Sequence, residues 1–247
     1  MPTAEEREQA RKRPGTSPVM RQRWSDLLFL HWEFDAQDLA STLPSGLHLD
    51  TFQNKAYLGI VPFSMERIRP CFCPPIPGLS WFLELNLRTY VHDEKGRPGV
   101  WFYSLDANQT IAVELGRRLF HLPYQHAQMS LQRQEGGLTF RSQRKEKNAE
   151  SSIAKYPYQI QGELQTARAQ TLEFFLLERY LLFSTNKQGS LKIGQVHHHP
   201  YPFQQASCTS PSLLPFSWNG FPQPSEPPIS QLYSPGVDVE IFPLRPI

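Results

Sequence analysis

The stretch Glu84-Leu85-Asn86-Leu87-Arg88-Thr89-Tyr90-Val91 decides how this chain is read. Side chains alternate faces along a β-strand. One face then carries Glu84, Asn86, Arg88 and Tyr90, and the other carries Leu85, Leu87, Thr89 and Val91. The apolar face predicts a half-buried strand. The polar face sets an anion, an amide, a cation and a phenol in one line. Such a row either faces water, with a surface ion pair, or lines a polar cavity.

The flanks bear on that choice. Trp81 and Phe82 precede the strand, and a polar turn follows it from His92 to Gly99. Val100-Trp101-Phe102-Tyr103-Ser104-Leu105-Asp106 then reads as a second strand, so the two form a β-hairpin. Aromatic residues on both faces of the second strand predict burial on both sides. That strengthens the cavity reading.

Composition excludes several function classes. The 25 Lys and Arg nearly balance the 23 Asp and Glu, leaving +2, which is no footprint for nucleic acid or an anionic membrane. No apolar run reaches the length of a spanning helix. The N-terminus shows no apolar signal core. Cys71, Cys73 and Cys208 make no paired framework, so reduced thiols and a cytoplasmic location are expected. Eleven of the 23 prolines fall between Pro200 and Pro246. Proline lacks a backbone donor, so this tail is expected to wrap over the domain irregularly and end in one edge strand. Leu213, Leu214, Phe216, Trp218 and Phe221 would anchor the wrap by burial.

Residues 1–20 are expected to form a disordered arm, and 21–247 a single domain. Helices are expected after Asp35 as an N-cap, over Gln109 to His121 with Ile111, Leu115 and Leu119 as one stripe, and after Thr171. The remaining segments read as about ten strands. The fold class is therefore α+β, mostly antiparallel β.

Chemistry-bearing motifs are sparse. His197-His198-His199 could offer two imidazoles to a metal, but no carboxylate lies near in sequence. A satisfied polar strand end is the preferred reading, and no metal is expected. No GxSxG elbow marks a nucleophile. No phosphate-cradling glycine loop is present, so no nucleotide cofactor is expected. Cys71 and Cys73 have no neighbouring base. Arg117 and Arg179 lie at helix ends, and either could pair with Glu84 or Asp106 across the sheet.

Taken in order, several segments resemble the YqjF-like family of uncharacterised proteins. They are Leu47-x-Leu49-Asp50, Leu58 to Phe63, Glu84 to Val91, Gly99 to Asp106, Leu122-Pro123-Tyr124, Glu178-Arg179-Tyr180 and Val196-His197-His198-x-Pro200. The resemblance spans roughly Arg23 to Leu244. One departure is Pro200-Tyr201, where the family usually has Pro-Trp. The family is similar in fold to acetoacetate decarboxylases, which implies a cone-shaped antiparallel β-barrel with a central cavity and a few flanking helices. The decarboxylase motif runs from Gly-Arg-Glu to Pro-Lys-Lys, its first lysine forming a Schiff base. Here the stretch runs from Gly116-Arg117-Arg118 to Pro123-Tyr124-Gln125. The nucleophile position is Tyr124, and a phenol cannot form an imine. The decarboxylase's cavity glutamate matches Glu84.

The resemblance therefore implies capture of a small polar or carbonyl-bearing molecule in the cavity, without Schiff-base chemistry or a cofactor. If a reaction follows, Glu84 and Tyr124 would do the acid/base work of a lyase or hydrolase. Asn86, Arg88, Tyr90, Ser104, Asp106, Arg117, Arg179 and His198 are the candidate ligand contacts. A filled barrel acting as a scaffold is the third reading. The expected partner is a small molecule, with homo-oligomerisation left open.

Overall fold

The computed structural model describes residues 1–145 and 152–247. In chain order the described elements are α1 (Ala4–Arg11), β1 (Met20–Phe34), α2 (Ala36–Ser41), β2 (Leu47–Leu49), β3 (Ala56–Pro70), β4 (Phe82–Asp93) and β5 (Pro98–Ala107). There follow α3 (Thr110–Leu119), β6 (Tyr124–Gln134), β7 (Gly137–Arg144), β8 (Ala154–Thr166), α4 (Leu172–Leu177), β9 (Leu181–Thr185) and β10 (Leu191–His197). The chain ends with β11 (Pro202–Cys208), α5 (Leu214–Trp218), β12 (Ser230–Ile241) and β13 (Arg245–Pro246). The expected α+β class with dominant strands is observed, with more short elements than the periodicity alone marks out.

All thirteen strands belong to one sheet, and the sheet is ring-like. From β5 the pairings run through β6, β7, β8, β11, β12, β1, β3 and β4, and β4 pairs with β5 again. β9 and β10 cross this ring by joining β5 to β12. Most pairings are antiparallel, but β5 pairs in parallel with both β6 and β9.

Two apolar cores fill the two faces of the shared strands. β1 sends Leu28, Leu30 and Trp32 into one core with Leu85, Leu87, Phe140, Tyr156 and Phe216. It sends Leu27 and Phe29 into the other with Val61, Phe63, Val113, Leu177 and Tyr201. β4 therefore separates two interiors, which explains its burial on both faces from Glu84 to Val91.

Four expectations need correction. The arm expected to be disordered contains α1, because Thr3 and Glu6 form a reciprocal capping box. Arg7 then reaches Asp50 with two bonds of 2.8 Å. The stripe of α3 faces outward, with Ile111, Leu115 and Leu119 exposed at 53%, 49% and 59%. Gly116 and Val113 face the sheet instead, because only a residue without a side chain lets the helix lie against Tyr124. A Cβ at Gly116 would meet the Tyr124 ring at 2.5 Å. Trp101, Phe102 and Tyr103 are half-buried rather than buried, since a register shift between Leu87 and Arg88 bulges β5 at this point. Finally, β12 is no edge strand, since it pairs with β1 on one side and with β11 and β10 on the other. Pro235 is accommodated because the β1 ladder skips from Ser25–Gly236 to Leu27–Ser234, so no bond is asked of it. The tail's apolar anchors do pack as expected, with Phe216 fully buried and Leu213, Leu214, Trp218 and Phe221 against the same core.

Candidate functional site

Register fixes which polar residues share a face. Glu84, Asn86 and Arg88 of β4 stand opposite Phe63, Val61 and Gly59 of β3. Phe63 and Val61 belong to the core that holds Phe29 and Leu177. Glu84, Asn86, Arg88 and Tyr90 therefore all point toward that side, and all four are buried. The solvated reading of this face is overturned.

Glu84 sits 3% exposed and makes no ion pair among the described residues. The Tyr124 hydroxyl donates to its Oε2 at 2.8 Å, and the Asn86 amide bonds to it as well. Burial raises the carboxyl to about 7, against the pull of these two hydrogen bonds, with Asp106 adding a small push upward. Tyr124 is raised well above the ordinary phenol value by burial and by the neighbouring Glu84 charge. Two features of the loop motif set Tyr124 in place. Gly116 clears the space for its ring. Arg117 Nε donates to the Tyr124 carbonyl at 2.8 Å. Arg117 thus positions Tyr124 from behind and does not pair with Glu84.

Arg88 and Tyr90 form the next part of the row. Arg88 Nη2 donates to the Leu176 carbonyl at 3.2 Å and lies 3.5 Å from the Tyr90 hydroxyl. Its guanidinium also lies over the Phe29 ring at 5.4 Å. Tyr90 donates to the same Leu176 carbonyl at 3.0 Å and meets His31 Nε2 at 2.6 Å. A phenol has one hydrogen, so His31 must donate through Nε2 and leave Nδ1 bare. Burial, reinforced by the Arg88 charge, keeps His31 neutral to well below the usual imidazole range. Gly59 stands between His31 and Arg88 in register. A Cβ there would fall 2.8 Å from His31 Nε2. His31 and Gly59 were not among the residues expected from sequence, and the one available signal was a lone histidine within an apolar strand. Arg88 Nε, Asn86 Oδ1 and His31 Nδ1 are buried without a hydrogen-bond partner, and such groups call for an explanation.

The remaining expected residues lie elsewhere. Ser104 and Asp106 stand opposite Leu87 and Leu85, so they face the other core. Asp106 binds Arg144 Nε at 3.0 Å, and that guanidinium lies 4.5 Å over the Trp218 ring. Ser104 accepts from Asn219 at 3.0 Å. Arg179 pairs with Asp50 at 2.6 Å, stacks on Phe175 at 4.2 Å and lies over Tyr90 at 4.8 Å, so it backs the row without joining Glu84. His198 is buried between Tyr180, Tyr201 and Trp24, and desolvation pushes its imidazole down to about 4. The structure thus assembles Glu84, Asn86, Arg88, Tyr90 and Tyr124, and separates Ser104, Asp106, Arg117 and His198 from direct contact with Glu84. Among the described residues no group of three His, Cys, Asp or Glu converges to hold a metal ion. No described helix is long and apolar enough to cross a membrane.

The chain is 37% identical over 227 residues to the uncharacterized protein YqjF of Bacillus subtilis (strain 168), covering 92% of each. Solved structures share the fold at low identity. An acetoacetate decarboxylase from Legionella pneumophila matches with a TM-score of 0.60 and 14% identity, over 94% of this chain and 88% of that one. The enduracididine biosynthesis enzyme MppR, complexed with the condensation product of pyruvate and imidazole 4-carboxaldehyde, matches at 0.63 and 14%, over 94% and 90%. An acetoacetate decarboxylase-like enzyme from Sphingomonas wittichii RW1 matches at 0.63 and 12%, over 94% of each. Residues 21–238 match the DUF2071 family, described as an uncharacterized conserved protein, and the chain belongs to that family.

Proposed function

We propose that the Glu84 face is the inside of a cone-shaped β-barrel and binds a small polar or carbonyl-bearing molecule. The observation that carries this reading is the buried row itself. Glu84 and Tyr124 are already bonded to each other, while Asn86 Oδ1 and Arg88 Nε beside them have no partner. A buried guanidinium nitrogen and an amide oxygen left unpaired cost about 1–3 kcal/mol each. A ligand carbonyl or carboxylate accepting from Arg88, and a hydroxyl donating to Asn86, offset that cost. MppR is described in complex with pyruvate, a molecule of this class. Imine chemistry is outside the proposal, because positions 123–126 read Pro-Tyr-Gln-His and hold no lysine. The three cysteines are free, in keeping with work in the cytoplasm.

The test is mass spectrometry of small molecules released from the purified protein, followed by titration with pyruvate and acetoacetate. Arg88→Met is expected to weaken the capture at least tenfold, the counterpart of about 1.4 kcal/mol. Borohydride with acetoacetate is expected to leave the protein mass unchanged. No bound small molecule, and no binding of either acid, would refute the site.

A second reading is favoured by the Glu84 carboxyl lying near 7. A base with that pKa suits proton abstraction next to a carbonyl at neutral pH, with Tyr124 returning the proton. Loss of methyl protons from pyruvate in heavy water would show it. The rate should rise with half its change near pH 7, and Glu84→Gln should abolish it.

A further inference from the structure

β5 is flanked on one edge by two different strands. β9 pairs with it at Val100 and Trp101, and β6 pairs at Leu105, Asp106 and Ala107. Between them, at Phe102 to Ser104, no strand covers that edge among the described residues. A pocket of about 440 Å³ occupies this fork. None of Glu84, Asn86, Arg88, Tyr90 and Tyr124 lines it, although Phe102 in its wall stands opposite Arg88 in register.

The chemistry of its walls is uneven. Trp101, Phe102, Tyr103 and Phe183 supply aromatic surface, and three of them are the half-buried residues at the β5 bulge. Large aromatics left partly in water on consecutive positions are costly unless something covers them. Arg117, His121 and Lys187 line the same pocket, and no Asp or Glu does. Arg117 uses Nε on the Tyr124 carbonyl and Nη1 on Glu114, and Nη2 has no partner among the described residues. Lys187 is exposed and makes no ion pair among them. His121 is held in the left-handed region at φ 52° where α3 ends, a place usually given to glycine. Ser184 is buried at the back, and its hydroxyl has no partner.

We propose that this fork binds a small organic anion with a flat apolar body, an aromatic carboxylate in class. The ring lies against the β5 aromatics, and the carboxylate faces Arg117 Nη2, His121 and Lys187. Aromatic surface beside Arg117, His121 and Lys187, with Glu114 engaging Arg117 at Nη1 only, suits such a ligand better than a neutral ring or a bare anion.

Calorimetric titration with three probes separates the contributions. Benzoate carries ring and charge, acetate the charge alone, and benzyl alcohol the ring alone. Benzoate is expected to bind about tenfold or more tightly than either of the others, and less tightly as salt rises. Lys187→Glu, on an exposed turn that leaves the fold intact, is expected to weaken benzoate about tenfold and leave benzyl alcohol unchanged. Equal affinity for all three probes, no benzoate binding, or benzoate binding that ignores Lys187→Glu would each overturn the proposal. None of these outcomes bears on the Glu84 row, which Lys187 does not touch.

Discussion

Replacing Glu84 by glutamine should remove a specific pH dependence of stability. The folded carboxyl lies at about 7 and the free one at 4.5. Between those values the folded protein binds a proton that the unfolded chain has released. Stability contributed by this group is therefore full below pH 4.5 and falls as pH rises to about 7, then stays flat. At 1.36 kcal/mol per pH unit the loss amounts to about 3 kcal/mol. Among the other buried groups, Glu178 is raised by burial and acts in the same sense, while the two buried histidines act in the opposite one. His31 and His198 have folded values below 6.5, so their contribution rises with pH toward that value. The difference between wild type and Glu84→Gln cancels all three. The assay is the urea midpoint at a series of pH values from 4 to 8, with the slope checked for constancy. The wild type should lose about 3 kcal/mol relative to the variant across that window. A constant difference would mean that Glu84 titrates like a free carboxylate, and the account of its burial would fail.

Three further outcomes follow from the geometry. Gly116→Ala drives a methyl into the Tyr124 ring at 2.5 Å; it should cost about 1–3 kcal/mol by thermal unfolding and loosen the Tyr124–Glu84 bond. Arg144→Met breaks the buried pair between Asp106 and its guanidinium, so a loss of about 3–5 kcal/mol is expected from denaturant midpoints. Glu84→Gln and Arg88→Met should be additive within about 0.5 kcal/mol in a double-mutant cycle, because their partners in the row are separate.

The alternation of β4 was legible because it needs only the two-residue period of a strand, and the Asp35 and Thr171 caps because capping is local. The interior position of Glu84 was read from that alternation and its partner strand and supported by the family resemblance, but its bond to Tyr124 was not, since no local rule links residues forty positions apart. What sequence could not convey was sidedness on β5. Ser104 and Asp106 look continuous with the Glu84 row, yet cross-strand register turns them to the opposite core. Sidedness also inverted α3, where a single glycine outweighed three large apolar residues in choosing the packed face. The arm was misread because its ordering depends on Asp50, a partner forty-three residues away from Arg7.

The pairing of buried acids sets Glu84 apart from the others. Asp26, Asp50, Asp93 and Asp106 are each buried against a guanidinium, from Arg133, Arg7 and Arg179, Arg97 and Arg144 respectively. The guanidinia beside Asp50 and Asp93 hold those carboxyls below their ordinary range. Glu178 escapes that pattern, but its oxygens are taken by the Tyr180 hydroxyl and the Tyr201 amide, with Arg11 lending it positive charge. Among the described residues, Glu84 is held by a phenol and an amide, both neutral. Its charge costs enough to bring its pKa to about 7, and its nearest neighbour along the row, Asn86, still has an unfilled oxygen. Stability alone would be served better by a further arginine or by an apolar residue. A carboxyl kept in this balance, on the face that also carries Arg88 and meets Tyr124, is the feature on which the proposed carbonyl site rests.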